Sequence, residues 1–161
     1  MDASALLHAI AQSDLGRTMR DSRWLYPLVE SAHIVGIVVL VGAAAMFDLR
    51  LLGVSRDLPI RALGRHLLPW SVGALAVVVP TGIAMFAAEP VALAANAAFR
   101  IKLGVLALAA ANALLFHLGP YRRVERWERA RPAPLAARAT AALSLALWLA
   151  VIFCGRLIAY V

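Results

Sequence analysis

Four apolar runs of membrane length recur along the chain, at about residues 27–49, 67–88, 99–118 and 136–160. Each approaches the roughly 20 residues a helix needs to cross a bilayer, and a spanning segment must satisfy its backbone polar groups internally. These runs leave few folds open. The chain reads as an all-α integral membrane protein, a four-helix bundle preceded by a short amphipathic interfacial helix, forming one transmembrane domain over residues 1–161. A mean hydropathy of +0.80 and a hydrophobic content of 63% exclude an ordinary soluble globule, where apolar usage is nearer ~45–50%.

The N-terminal segment, about residues 4–20, spaces Leu6, Leu7, Ile10, Ala11 and Leu15 along one helical face, the pattern of a helix lying at the membrane surface. Trp24, Tyr26 and Pro27 follow, aromatic-belt and helix-start residues where a chain enters lipid. Acidic residues stand where a signal peptide would carry its basic end, so no cleaved leader is expected. Pro80 removes a backbone donor from the second run and predicts a kink there. No internal repeat is evident.

Charge sets the expected orientation. Arg50, Arg56, Arg61 and Arg65 lie between the first two runs, and Arg122, Arg123, Arg126, Arg129, Arg131 and Arg138 between the last two. The positive-inside rule makes these loops cytoplasmic and both termini periplasmic, in a bacterial inner membrane. Arginine outnumbers lysine fifteen to one, which fits a GC-rich genome. The net charge of +7 is therefore a topological signal; the basic residues form no groove-sized patch with interleaved aromatics, and no nucleic-acid partner is expected. The expected partners are the lipid bilayer and a membrane or periplasmic protein or a second copy in a homo-oligomer.

Ionisable groups inside a span need pairing or a use. Glu30 and His33 are three residues apart on one helix face of the first span, and Lys102 and Arg156 are expected at similar depth, near Thr81, Met85, Asn96 and Arg100. The expectation is an outer polar cluster of Glu30, His33, Lys102 and Arg156 in which Arg156 pairs with Glu30. That cluster either fixes helix register or binds a small ligand or ion. Glu-x-x-His occurs once, whereas a bundle di-metal centre needs it twice with two further carboxylates; a single copper or zinc held by His33 and Glu30, with Met85 or His8, is the remaining metal reading.

The opposite layer holds His66 and His117 on antiparallel spans, a pair that could ligate haem b through its iron or, as snorkelling residues, mark the interface. Asn112 is expected to bond a neighbouring helix, Asp48 to pair with Arg50, Asp57 with Arg56 or Arg61, and Trp70 and Trp127 to mark the inner interface. The single cysteine, Cys154, permits no disulfide within the chain. No phosphate loop, nucleophile elbow or acid–base pair in a soluble domain appears, so the chain reads as an accessory protein or subunit and not as an enzyme. The alternatives are an electron-transfer protein holding haem or quinone, and an oligomeric ion or metal transporter.

The strings Trp24–Gly36, Phe47–Gly53, Leu67–Trp70, Asn96–Lys102, Phe116–His117 and Gly155–Tyr160 resemble an uncharacterised family of small bacterial four-helix inner-membrane proteins. That resemblance covers nearly the whole chain and implies fold and compartment. More distantly, the layout is similar to four-helix units of copper-resistance inner-membrane proteins and cytochrome b561-like proteins, whose inward histidines hold metal or haem.

Overall fold

A computed structural model describes residues 2–128 and 133–161, all helix, turn or coil. Arg129 and Arg131, counted above among the loop arginines, lie outside the described residues. The elements are α1 (Ala3–Ala11), α2 (Asp14–Asp21), α3 (Leu25–Leu52), α4 (Ile60–Ala88), α5 (Pro90–Ala95), α6 (Ala97–Leu118), a 3-10 turn (Pro120–Arg123), α7 (Val124–Trp127) and α8 (Leu135–Leu157). The helices α3, α4, α6 and α8 are long and apolar enough to cross a membrane. Their outward faces carry exposed Leu, Val, Ile and Phe, as lipid-facing surfaces do.

The four long helices alternate in direction. The α3 helix packs against α4 and α8, and α8 packs against α6. Among the described residues α4 and α6 make no close backbone approach. Rings bridge from α4 toward α6 at one end, where Phe86 and Phe99 stack with centroids 5.6 Å apart and planes 9° apart. That end also carries both termini. At the other, the loop end, Phe47, Phe116 and Tyr121 contact one another edge-on or tilted, with centroids 5.5–6.0 Å apart. The buried core lies there, built by Phe47, Leu51, Ile60, Phe116, Val124, Trp127, Ala137 and Ala141.

Small residues let the first two spans meet. A Cβ on Gly36 would sit 2.7 Å from Val78 Cγ2, and one on Gly82 would sit 3.2 Å from the His33 ring. Without hydrophobic drive between helices in lipid, such close approach supplies the packing.

The N-terminal segment departs from the single interfacial helix expected. It breaks at Ser13, whose hydroxyl donates to the Ile10 carbonyl at 2.6 Å and accepts the Gly16 N–H at 3.1 Å, capping α2. Gly16 then lies so close to the Ala87 carbonyl that a Cβ would be 2.6 Å from it. Arg20 donates to the Ala88 and Ala11 carbonyls, each at 2.6 Å, so one guanidinium serves the last residues of α4 and α1. Unsatisfied carbonyls at a helix C-terminus attract such donors. The segment is thereby docked onto the end of the bundle.

Other boundaries shift as well. The second span begins at Ile60, seven residues before the expected 67, and its helix continues through Pro69 and Pro80. Thr81 donates its hydroxyl to the Val77 carbonyl at 2.6 Å beside the proline, one of the ways a membrane helix accommodates Pro. A helix not anticipated, α5, opens with Pro90 and ends at Ala95, with Asn96 as its C-cap. Asn96 caps α6 by accepting the Phe99 N–H at 2.9 Å, and its amide donates to the Ile158 and Val161 carbonyls.

At the loop end Arg61 pairs with Glu125 at 3.0 Å. Its backbone N–H, in the first turn of α4, donates to Glu128 at 2.8 Å. Trp127, expected at the interface, is buried, and its indole donates to the Pro120 carbonyl at 3.0 Å.

Candidate functional site

At the terminal end, α3 and α4 present His33 and Thr81 to each other, with His33 Nδ1 2.8 Å from Thr81 Oγ1. The single hydroxyl hydrogen of Thr81 is committed to the Val77 carbonyl, with Val78 the next acceptor. The hydrogen-bond network therefore assigns the shared proton to His33 Nδ1. In the neutral ring this leaves Nε2 as an acceptor for another group. The close packing of Gly82 on the imidazole fixes the ring orientation.

Lys102 sits in the second turn of α6, half-buried, with Nζ 3.6 Å from where a Cβ on Gly155 of α8 would lie. Its charge and that of Glu30 both act on the His33 ring. Among the described residues its ammonium makes neither a hydrogen bond nor an ion pair.

The rest of the expected cluster disperses. Glu30 is exposed. Arg156 is exposed too, and in place of Glu30 it takes Tyr160, one turn on, donating to its hydroxyl and lying 4.8 Å over its ring. A side chain in the last turn of a helix reaches a neighbour four residues away more readily than one on another helix. The structure thus brings His33 and Thr81 together, leaves the charges of Lys102 and Glu30 both acting on the His33 ring, and turns Arg156 to Tyr160.

The histidines of the other layer are both exposed. His66 lies in the second turn of α4, since that helix starts earlier than expected, and makes no hydrogen bond among the described residues. His117 bonds through Nδ1 to the Ala113 carbonyl at 2.8 Å and packs on Phe116 and Tyr121. Among the described residues no three of His, Cys, Asp and Glu come together to hold a metal ion.

A second polar layer lies deeper. Asn112 is buried on α6, and its amide donates to the Thr140 carbonyl of α8 at 3.0 Å, the interhelical bond expected of it. Asp48 was expected to pair with Arg50; it is instead 7% exposed on α3, with Ser144 of α8 as its neighbouring hydroxyl. Arg50 donates to the Leu58 and Arg56 carbonyls. The Asp48 Oδ2 atom is buried without a hydrogen-bond partner. The signal for this was in the sequence: Gly36, Leu40, Ala43, Phe47 and Leu51 form the buried stripe of α3, and helical spacing puts residue 48 beside it.

An all-α bundle with four helices able to cross a membrane, and with ionisable side chains turned into it, is a multi-pass membrane protein. The loop-end core, the Gly-mediated contact of α3 with α4 and the polar layers are its distinguishing features. The chain belongs to the family of unknown function DUF6644, whose match runs over residues 13–161. No curated protein and no solved structure matches it, and so none carries the distant likeness to copper-resistance or cytochrome b561-like units.

Proposed function

We propose that this is an accessory protein or subunit of the bacterial inner membrane, with both termini periplasmic, that holds the headgroup of an acidic, hydroxyl-bearing ligand against Lys102 and His33. One observation carries the reading: Lys102 is half-buried within a span and has no anionic partner among the described residues. A charge at that depth is paired, turned to a cavity or used. An ion pair that only fixed register would have supplied the partner from within the chain.

The chemistry of the neighbours narrows the ligand. The ammonium offers up to three donors to a phosphate or carboxylate, and His33 Nε2 offers an acceptor to a hydroxyl. An anionic headgroup carrying a free hydroxyl satisfies both.

Phosphatidylglycerol is a probe with those two groups. Purified protein would be placed in phosphatidylcholine nanodiscs with increasing phosphatidylglycerol, and thermal unfolding followed, with inorganic phosphate as a separate arm for a soluble anion. Binding at 100 times Kd stabilises a folded state by about 2.7 kcal/mol. The expected result is a saturable rise in unfolding temperature in one arm, lost in Lys102→Met and reduced in His33→Ala. Equal responses of wild type and Lys102→Met, or no response in either arm, would overturn the reading.

A further inference from the structure

We propose that Asp48 and Ser144 form a second, intramembrane site that binds one small cation, a proton or an alkali ion, on the loop side of the bundle. It is separate from the Lys102 region and does not depend on the function proposed for it.

The placement comes first. Ser144 lies nine residues into α8, about 13 Å from the start of that helix at 1.5 Å per residue. Asp48 itself lies four residues before the end of α3, about 6 Å along the helix axis, so its carboxyl sits toward the loop side of a hydrocarbon core about 30 Å thick. Asp48 stands between Phe47 and Leu51, and Ser144 is one turn beyond Ala141; all three of these apolar residues belong to the buried core. Among this packing the Oδ2 atom has no donor.

The charged and titratable groups on the packed elements point elsewhere. On α4, Arg65 and His66 are exposed, as is Arg138 on α8. Arg50 on α3 directs its guanidinium to the Leu58 and Arg56 carbonyls. Tyr121, the nearest phenol of the loop end, packs on Phe47 and Phe116. An uncompensated carboxylate in such surroundings costs several kcal/mol, whereas a bound cation completes both charge and hydrogen bonding. Ser144 of α8 is the neighbouring side-chain oxygen.

The test is infrared spectroscopy of the full chain in nanodiscs, made with carboxyl-13C-aspartate. Every other described aspartate is exposed, and the difference between wild type and Asp48→Asn isolates the band of this one. A proton as occupant gives a labelled carboxylic-acid band in alkali-free buffer that disappears in Asp48→Asn. An alkali ion gives no acid band but a carboxylate band and an unfolding temperature that respond saturably to sodium against choline, both lost in Asp48→Asn.

Should Asp48→Asn fail to fold, Ser144→Ala takes its place. Loss of the hydroxyl donor moves the acid band, or weakens the sodium response by roughly tenfold or more, in line with a hydrogen bond to a charged group. Absence of both signals in the wild type would overturn the proposal, as would either signal surviving unchanged in Asp48→Asn or in Ser144→Ala.

Discussion

His33 Nδ1 and Thr81 Oγ1 are 2.8 Å apart across the contact of α3 with α4, and the threonine hydroxyl is already spent on the Val77 carbonyl. The imidazole is therefore the donor, and its orientation is set from the neighbouring helix. Such a bond between spans is worth about 0.6 kcal/mol on average and about 1.7 at most. Thr81→Val should lower stability in detergent by an amount in that range. A double-mutant cycle with His33→Ala, read from reversible unfolding in mixed micelles, should return a coupling of the same size. Additive effects would show that the bond does not hold the helices.

The contact beside it depends on shape alone. A Cβ at Gly36 would lie 2.7 Å from Val78 Cγ2, and valine has little rotamer freedom in a helix with which to move aside. Gly36→Ala should destabilise the bundle by about 1–3 kcal/mol, the usual penalty for overpacking. Val78→Ala, made on top of it, should restore much of the loss. Failure of that rescue in the same unfolding measurement would mean that the helices part for another reason.

Hydropathy and charge made the four spans legible, because a membrane helix must be both apolar and long, and each span came within a few residues of its place except at the start of α4. The N-terminal segment was legible in composition but not in geometry. Its docking through Arg20 depends on the Ala88 carbonyl of α4, 68 residues away. The candidate cluster was half legible. Helical spacing put His33 inside the span, but rotation about the helix axis, which decides that Arg156 folds back on Tyr160, is set by tertiary packing. Asp48 was misread because adjacency to Arg50 suggested a surface pair, although the buried stripe of its own helix ran beside it.

Asn112 tests whether the deeper polar layer contributes to assembly. Its buried amide donates to the Thr140 carbonyl at 3.0 Å, across the contact of α6 with α8. Asn112→Leu removes the amide while retaining an apolar side chain of similar size. The expected loss is again about 0.6–1.7 kcal/mol. A larger loss would show that the layer acts as a unit, and an increase in stability would show that the amide is retained for some purpose other than packing.

The loop end offers a contrast between two glutamates on one arginine. Glu125 meets the exposed Arg61 guanidinium at 3.0 Å, a surface pair worth about 0–1 kcal/mol. Glu128 accepts the Arg61 backbone N–H at 2.8 Å, satisfying one of the orphan donors at the start of α4, where Pro59 provides no side-chain cap. Losing a cap costs about 0.5–2 kcal/mol. Glu128→Ala should therefore destabilise the chain more than Glu125→Ala, and its effect should vary less with added salt. The reverse order would mean that the ion pair, and not the cap, joins α4 to the loop.

Orientation can be tested with the chain's own chemistry. Cys154 is the only cysteine and is buried, so a Cys154→Ser background leaves single engineered thiols as unambiguous reporters. Ser4, in α1, and Ser55, in the turn between α3 and α4, are both exposed and belong to opposite ends of the bundle. If, as proposed, the Arg-rich loops face the cytoplasm, Ser4→Cys should react with a membrane-impermeant maleimide in intact spheroplasts, and Ser55→Cys only after permeabilisation. The opposite pattern would invert the bundle and place Lys102 and His33 on the cytoplasmic side, so that their ligand would be drawn from the inner leaflet. Asp48 would then exchange its cation with the periplasmic side.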